Sequence, residues 1–568
     1  MKKILLFSLY LIPVLLLIGF VANFSVNVPV DDEWRLASLF KKIAAGNVSF
    51  NDFWALHSNH RIVFPKIIIA VLAFASRWNI NYQLCLSIGL AAITFMAAYK
   101  LSSMQEVKNV GDDLWHLANI LTCILVFSLV QHENWLWGFQ LAWFFVNLCF
   151  VAAVYALVSN HKLLPNIRIS IAAVFCFVAS FSLAQGLLSW LAAIPAVVAL
   201  EGNAAQKRKR AIAWMLLFAT TCAVYSIDYH PSRKASIISL LNKPLVVIDY
   251  FLSLLGSPIV RSPGISAFVG LLIFATFLFW KFHFGRKITE HREALPWLSI
   301  GCFSVLSSLF ITAGRAEFGA IHAIESSRYT TNSILLLIAV VQLGQLFARG
   351  KSAALKRNYK LVYRVLAGLL IGIIIVNSQQ AIAQTRLALP YKQGAQDCLQ
   401  LINYLQPSDF FDNSPESCLR VLSKKTWLVR EGAAIIDKIG WKKFAKNVEF
   451  ISNTEKVYGY LDQPQTSDKS VTVKKNAAVK ASGWAVLPGN LKQPNIVLLS
   501  VGNKQSFFAN AYVNLNSPDI AKSLKSELYN NARWAVDLSD NNLPIAQTEI
   551  KAWVYNPVDN QFVELRGG

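Results

Sequence analysis

The chain has 568 residues, of which 55% are hydrophobic and only 15% are charged. With a mean hydropathy of +0.42, this composition excludes an ordinary soluble protein. It predicts an α-helical polytopic membrane protein with a soluble C-terminal part. The formal net charge of +22 could suggest nucleic-acid binding. However, the basic residues cluster in short loops between apolar segments, as in membrane proteins, and no basic-aromatic module is present. We therefore expect membrane lipids, and no nucleic acid, as partners.

Apolar runs recur from residue 4 to residue 378, and about 20 such residues cross a bilayer. They predict eleven transmembrane helices, at residues 4–22, 82–100, 117–131, 139–158, 169–184, 187–200, 211–228, 264–282, 295–313, 329–347 and 364–378. The first run resembles a signal peptide. No small-residue cleavage site follows it, so we interpret it as an uncleaved helix.

Two weaker apolar segments, 62–76 and 244–256, lie beside prolines. If both crossed the membrane, the basic run Lys207–Arg210 would face outward, against the positive-inside rule. We therefore interpret them as juxtamembrane or re-entrant segments. The resulting topology predicts a multi-pass protein of the inner (plasma) membrane. Its N-terminus would be cytoplasmic and its C-terminal domain extracytoplasmic, on the periplasmic side.

Composition changes after residue 378. We expect a transmembrane domain over 1–378, an extracytoplasmic helical connector over 379–454 and a β-sandwich over 455–568. The last region carries short apolar runs separated by turn residues. The predicted strands are Gly483–Leu487, Ile496–Val501, Phe507–Leu515, Trp534–Leu538, Ile550–Tyr555 and Phe562–Leu565.

An acidic segment, Asp31-Asp32-Glu33-Trp34-Arg35, follows the first apolar run. Acids at a bilayer edge often mark functional sites, and neighbouring carboxylates raise one another's pKa, which suits a general base. The competing interpretation is a solvated cap of the amphipathic helix that follows. The two interpretations are compatible.

An acidic pair after the first span, followed by an amphipathic juxtamembrane helix, resembles the GT-C superfamily of membrane glycosyltransferases. Asp32-Glu33-x-Arg35 is similar to the start of the first loop in protein O-mannosyltransferases and lipid A aminoarabinose transferases. The resemblance implies a sugar donor carried on a polyprenyl phosphate. It also implies that the first-loop acid is the general base or orients the acceptor. That role falls on Asp32, with Asp31 as the alternative and Glu33 as a substrate-binding neighbour.

A second polar segment runs from Arg315 to Tyr329 and includes Arg328. Arginine forks match phosphate oxygens bidentately. We therefore consider Arg315, Arg328 and Tyr329 candidate substrate-binding residues. The alternatives are snorkelling of the arginines and their pairing with Glu317 and Glu325.

His132 and Glu133 lie beside Trp135 and Trp137 and could line a sugar site, or they could cap an aromatic interfacial belt. The stretch from residue 57 to residue 61 offers three further candidate contacts to phosphate: His57, His60 and Arg61. The two histidines with a carboxylate could also hold a divalent metal, but this spacing is a weak signal. We expect no cofactor.

Cys398 and Cys418 are the only cysteine pair in the expected outer domain, and an oxidising compartment would permit a disulfide. The alternative is two separate buried thiols. In the β-region, Trp484, Trp534 and Trp553 could stack on sugars, although core packing fits them better.

These features predict a glycosyltransferase that moves a sugar from a polyprenyl-phosphate donor to a lipid, glycan or protein acceptor, by a single inverting displacement. One alternative is a transporter or flippase of lipid-linked glycans, which would need polar groups at mid-membrane depth. Another is a non-catalytic glycan-binding membrane protein, in which Asp32 would be dispensable.

Overall fold

The computed structural model describes residues 2–104, 113–159, 163–231, 242–286, 291–349, 353–463, 471–472, 479–489, 493–502, 504–538, 547–548 and 550–567. The chain divides into two compact units. The first, the helical unit, comprises Met1–Ser25, Ser49–Ser76 and Asn81–Gln384. The second, the C-terminal unit, comprises Val26–Val48, Arg77–Ile80 and Thr385–Gly568. The acidic segment Asp31–Arg35 therefore belongs to the C-terminal unit.

The described part of the chain up to Gln400 consists mainly of α-helices and short 3₁₀ turns. The described helices are Lys2–Phe24, Leu36–Ala44, Phe50–Trp54, Val63–Ser76, Ile80–Ser103, Asp113–Val126, His132–Leu136, Leu141–Val158, Pro165–Ser180, Leu188–Ala192, Ile194–Val198, Ala204–Ser226, Pro244–Gly256, Ile265–Gly285, Leu295–Arg315, Gly319–Glu325, Thr330–Arg349 and Ala353–Gln400.

Within the described residues, eight helical stretches are long and apolar enough to cross a membrane. They are Phe7–Phe24, Ile80–Ser103, Asp113–Leu136, Gly138–Val158, Ile265–Gly285, Arg292–Glu325, Ser327–Arg349 and Asn358–Gln400. Each overlaps a predicted span, which confirms the polytopic helical part. The other three predicted spans, 169–184, 187–200 and 211–228, are helical too, but two are shorter and the third begins with a basic run.

The two weaker apolar segments form the helices Val63–Ser76 and Pro244–Gly256, of 14 and 13 residues. Both are shorter than the 20 or so residues that cross a bilayer. Pro244–Gly256 packs closely against Ile265–Gly285. A Cβ at Gly256 would lie 1.9 Å from the Ser266 carbonyl oxygen, and one at Gly270 would lie 1.8 Å from that of Leu252. Small residues at such crossings let helix backbones approach each other, and here they fix the turn that carries Arg261.

Short helices form the first part of the C-terminal unit beyond Gln400: Asp409–Asn413, Cys418–Leu422 and Thr426–Ile439. A disulfide joins Cys398 to Cys418, which confirms the predicted pairing. Both half-cystines are fully buried. Closing a loop of this size stabilises a domain by roughly 3 kcal/mol, chiefly by restricting the unfolded chain.

The rest of the C-terminal unit is rich in strands, as predicted. They are β1 Glu449–Ile451, β2 Gly459–Gln463, β3 Val471–Thr472, β4 Val479–Ala485, β5 Ile496–Val501, β6 Phe507–Leu515, β7 Arg533–Leu538, β8 Gln547–Thr548, β9 Ile550–Asn556, β10 Gln561–Glu564 and β11 Arg566–Gly567; one helix, Pro518–Ser523, lies between β6 and β7.

Nine of these strands share one hydrogen-bonded order, β1-β10-β9-β5-β6-β7-β4-β2-β11, and β3 pairs separately with β8. The outermost pairings, β1 with β10 and β11 with β2, are parallel, and the pairings between them are antiparallel. Trp534 and Trp553 are buried, and the Trp553 Nε1 donates to the Ser500 hydroxyl at 2.8 Å. These two tryptophans therefore pack in the core, as the sequence favoured.

Candidate functional site

The acidic segment forms a single 3₁₀ turn, Asp31–Arg35, after the extended residue Val30. Asp31 has a φ of +52°, a left-handed conformation that aspartate tolerates better than most residues. The Asp32 Oδ1 accepts a hydrogen bond from the Arg35 Nε at 3.0 Å. Asp31 and Asp32 remain partly exposed, whereas Glu33 is fully buried. Of the three acids, Asp31 and Asp32 are therefore the two that a substrate can reach.

Aromatic packing inside the C-terminal unit holds this turn in place. Trp34 is 1% exposed, and its ring lies edge-on to that of Trp78 at 5.7 Å. Phe40, in the next helix, lies 4.9 Å from Trp78 and 5.4 Å from Trp441, between ring centroids. A Cβ at Gly432 would lie 2.5 Å from the Trp34 ring. The acidic turn thus packs on the helix Thr426–Ile439, and this contact requires glycine at 432.

In the helical unit, Glu133 joins two segments that are far apart in the sequence. Its carboxylate accepts hydrogen bonds from the Ser327 hydroxyl at 3.1 Å and from the Arg328 backbone N–H at 2.9 Å. The Arg328 Nη1 lies 3.4 Å from its other oxygen. The Asn134 side chain adds a bond to the Arg328 carbonyl at 2.9 Å. The turn Ser327–Tyr329 is therefore fixed to the helix His132–Leu136.

Tyr329 brings a second arginine to this place. The Arg315 Nε donates to the Tyr329 hydroxyl at 3.2 Å, and the Arg328 guanidinium carbon lies 5.0 Å from the Tyr329 ring centroid. The sequence left open a pairing of these arginines with Glu317 and Glu325. The structure pairs Arg328 with Glu133, which comes from a different predicted site. Glu133, Arg315, Arg328 and Tyr329 are thus brought together.

Arg261 belongs to the same group, although sequence reasoning did not identify it. One of its Nη atoms donates to the Val130 carbonyl. Its Nε is buried and has no hydrogen-bond partner among the described residues. Burial lowers the pKa of the Arg261 guanidinium, and the nearby Glu133 carboxylate opposes that shift. A buried donor without a partner is costly, so this side chain is suited to receive an acceptor atom from a ligand.

We call Arg261, Arg315, Arg328, Glu133 and Tyr329 the arginine cluster. The cluster so defined contains three guanidinium groups and the Glu133 carboxylate. His322 lies at its edge, with its Nδ1 3.1 Å from the Tyr250 hydroxyl, and the charges of Arg315, Arg328 and Glu133 all act on it. Arginine forks in a partly buried setting bind carboxylates and phosphates most strongly. The cluster can therefore bind an anion.

The stretch from His57 to Arg61 has a structural part in its own region of the helical unit. The guanidinium of Arg61 is buried and donates to the backbone carbonyls of Trp54 and Tyr225, each at 2.7 Å, and to that of Ile227. Its cation also lies over the Trp54 ring at 4.3 Å. These contacts occupy Arg61 in joining distant segments, so contact with phosphate stays a prediction.

The two histidines of this stretch form a tight turn. The backbone N–H of His57 donates to the His60 carbonyl at 2.9 Å, and the reverse bond measures 3.1 Å. The His57 ring lies 4.7 Å from that of Phe139. His132 begins the helix that carries Glu133 and is half-buried. Among the described residues, no group of three or more His, Cys, Asp or Glu side chains could hold a metal ion.

Comparisons with known proteins find similarity among solved structures. No family model and no curated protein sequence matches the chain. Among solved structures, the chain is similar to ArnT from Cupriavidus metallidurans in the apo state, with 12% identity and a TM-score of 0.37 over 72% of this chain and 81% of that one. The structure of the same protein bound to undecaprenyl phosphate gives the same identity and TM-score over 77% and 88%. This similarity is too low to support an argument about function, so the function is argued from the residues.

The packing of Trp34 on Gly432 can be tested by substitution. We expect Gly432→Ala to lower the stability of the C-terminal unit by about 1–3 kcal/mol, because the new methyl group overlaps a buried ring that cannot move aside. Thermal unfolding of the purified protein, followed by tryptophan fluorescence, measures this change.

Gly368→Ala is the matched control, because a methyl group added at this helical glycine would have no atom within 4 Å. Alanine is the better helix former, so this variant should unfold at or above the wild-type temperature. Equal unfolding temperatures for Gly432→Ala and wild type would contradict the proposed packing.

Proposed function

We propose that this protein is a membrane glycosyltransferase that takes a sugar from a polyprenyl-phosphate donor. The observation that carries the proposal is the arginine cluster. It brings three guanidinium groups and the Glu133 carboxylate to the ends of apolar helices that are long enough to cross a membrane. A lipid-linked phosphate presents the matching chemistry, with an apolar chain for the bilayer and a compact anion for the arginines.

Each arginine has a distinct part in this proposal. Arg261 offers a buried Nε with no partner among the described residues. Arg328 is held at its backbone by Glu133, while its side-chain contact to the same carboxylate, at 3.4 Å, is long. A short ionic bond of this kind measures about 2.7–2.9 Å. Because the backbone bond to Glu133 does not involve the guanidinium, that group can contact a phosphate while the backbone bond remains. Arg315, held by Tyr329, adds a third charge.

The proposed chemistry is a single inverting displacement. The acceptor hydroxyl oxygen forms a bond to the anomeric carbon as the bond from that carbon to the phosphate oxygen breaks. The leaving group is the polyprenyl phosphate, whose charge the arginines stabilise as it develops. The acceptor proton passes to a carboxylate, which we assign to Asp32, with Asp31 as the alternative. The acceptor is a lipid, a glycan or a protein.

The distribution of charge supports a location in the inner membrane. Basic runs such as Lys207–Arg210 suit cytoplasmic loops, which would place the N-terminus inside and the C-terminal unit outside. The disulfide between Cys398 and Cys418 is consistent with this orientation, because such bonds persist in oxidising compartments. The reaction would then take place on the outer face.

The phosphate-binding role can be measured directly. We expect Arg328→Ala and Arg261→Ala each to weaken binding of radiolabelled undecaprenyl phosphate by about tenfold or more, since a hydrogen bond to a charged group is worth about 1.5–3 kcal/mol. Binding is measured on the full chain in nanodiscs.

Arg364→Ala is the control for loss of charge, because Arg364 is half exposed and lies 3.6 Å from Asp113 in a surface ion pair. It should bind the lipid as the wild type does. Unchanged affinity in both Arg328→Ala and Arg261→Ala would refute the phosphate site.

The base is tested by turnover. We expect Asp32→Asn to abolish release of polyprenyl phosphate from a lipid-linked sugar donor, because an amide cannot accept the proton, while donor affinity stays near wild type. Release is followed by chromatography of the extracted lipids. Full activity in Asp32→Asn with loss in Asp31→Asn would move the role to Asp31. Full activity in both variants would overturn the mechanism.

A further inference from the structure

The C-terminal unit contains a cleft that has no part in the proposed reaction. It lies between the end of the long helix Ala353–Gln400 and the chain around β5 and β9, and its water-accessible volume is about 130 Å³. That is roughly ten times the 10–15 Å³ that a single water needs. The polar side chains that line it are Asp397, Gln400, Gln493, Asn495 and Tyr555.

Three amide side chains in the cleft are held in fixed orientations. The Gln400 Nε2 donates to the Lys443 carbonyl at 3.3 Å, and the Gln493 Nε2 donates to that of Val513 at 3.1 Å. The Asn495 Nδ2 donates to the Asp397 carboxylate at 2.8 Å. Each bond uses one amide N–H and fixes the plane of the amide. An amide carries two donors and an acceptor oxygen, so each retains the groups that hydroxyls need.

Apolar surface completes the lining of the cleft. Pro494, Pro557 and the ring of Tyr555 contribute to it, and the Tyr555 hydroxyl is fixed by a bond of 3.0 Å to the Asn560 side chain. Pre-oriented polar groups beside an apolar surface are the usual make-up of a small-molecule site. The face of a sugar ring presents C–H groups to such a surface, and its edge presents hydroxyls to the amides.

The charged side chains in the lining restrict the chemical class of the ligand further. Among the described residues, its lining includes one carboxylate, Asp397, and no Lys, Arg or His. Such a lining offers no cationic partner to a phosphate or a uronic acid. With a single carboxylate, the lining also lacks the set of acidic ligands that a divalent cation prefers.

We propose that this cleft binds one ring of a neutral or amino-sugar saccharide. The proposal does not rest on the arginine cluster, and it holds or fails whatever reaction the helical unit performs. The C-terminal unit would then be a saccharide-binding module, in which Gln400, Gln493 and Asn495 form hydrogen bonds to the hydroxyl groups of the sugar.

Saccharide binding by the full-length protein in detergent tests the proposal. The probes are three soluble trimers of equal length, built from glucosamine, N-acetylglucosamine and galacturonic acid, and ligand-observed NMR gives their affinities. We expect saturable binding of the first two. We expect binding about fivefold or more weaker for the uronic acid trimer, because the lining offers its carboxylates no cationic partner.

Substitutions locate the site. Gln400→Leu and Gln493→Leu should each weaken binding by up to about tenfold, the effect of one lost hydrogen bond. Gln463→Leu is the matched control, since Gln463 is exposed on β2 and does not line the cleft; it should bind as wild type does. Thermal unfolding of the amide variants at the wild-type temperature excludes misfolding as the cause of weaker binding. No saturable binding of any trimer, equal binding by all variants, or preference for the uronic acid would overturn the proposal.

Discussion

The contact of Glu133 with the turn Ser327–Tyr329 is the interaction on which the candidate anion site depends. Its carboxylate holds the Ser327 hydroxyl and the Arg328 backbone N–H, and so joins segments 195 residues apart. Arg328, Tyr329 and, through Tyr329, Arg315 take their positions from this bond. The same carboxylate acts on the charge of the partly buried Arg261. Without it, the turn would lose its anchor to the helix His132–Leu136.

A second constraint acts in the C-terminal unit. Residues 26–48 precede most of the helices in the sequence but pack with the residues that follow Thr385. Trp34 inserts against Gly432, and Phe40 against Trp441, so the position of Asp31 and Asp32 depends on the C-terminal helices. The part of the chain that we propose to be extracytoplasmic therefore has a role in the reaction, because it sets the geometry of the acids that we assign as the base. The cleft at Asp397 would give the same unit a recognition role.

Local patterns were enough to predict much of the fold. β5 and β6 have the predicted bounds because each is a short apolar run that ends at turn residues. Eight predicted spans are confirmed because length and hydropathy are local properties. The Cys398–Cys418 disulfide could be predicted because the outer domain is expected to lie in an oxidising compartment and these are its only two cysteines. What the sequence alone could not show are contacts between distant segments. No local sequence feature distinguishes Arg261 from other loop arginines or Gly432 from other helical glycines. Likewise, no local feature indicates that Glu133 pairs with Arg328.

The central claim is that the arginine cluster binds the phosphate of a lipid carrier, and a structure of the full chain in nanodiscs with undecaprenyl phosphate tests it most directly. The account predicts phosphate density with oxygens about 2.7–2.9 Å from guanidinium nitrogens of Arg261 and Arg328, and with the Arg328 backbone still bonded to Glu133. Phosphate density at another place, with the Arg261 Nε still without a partner and the Arg328 fork still on Glu133, would contradict it.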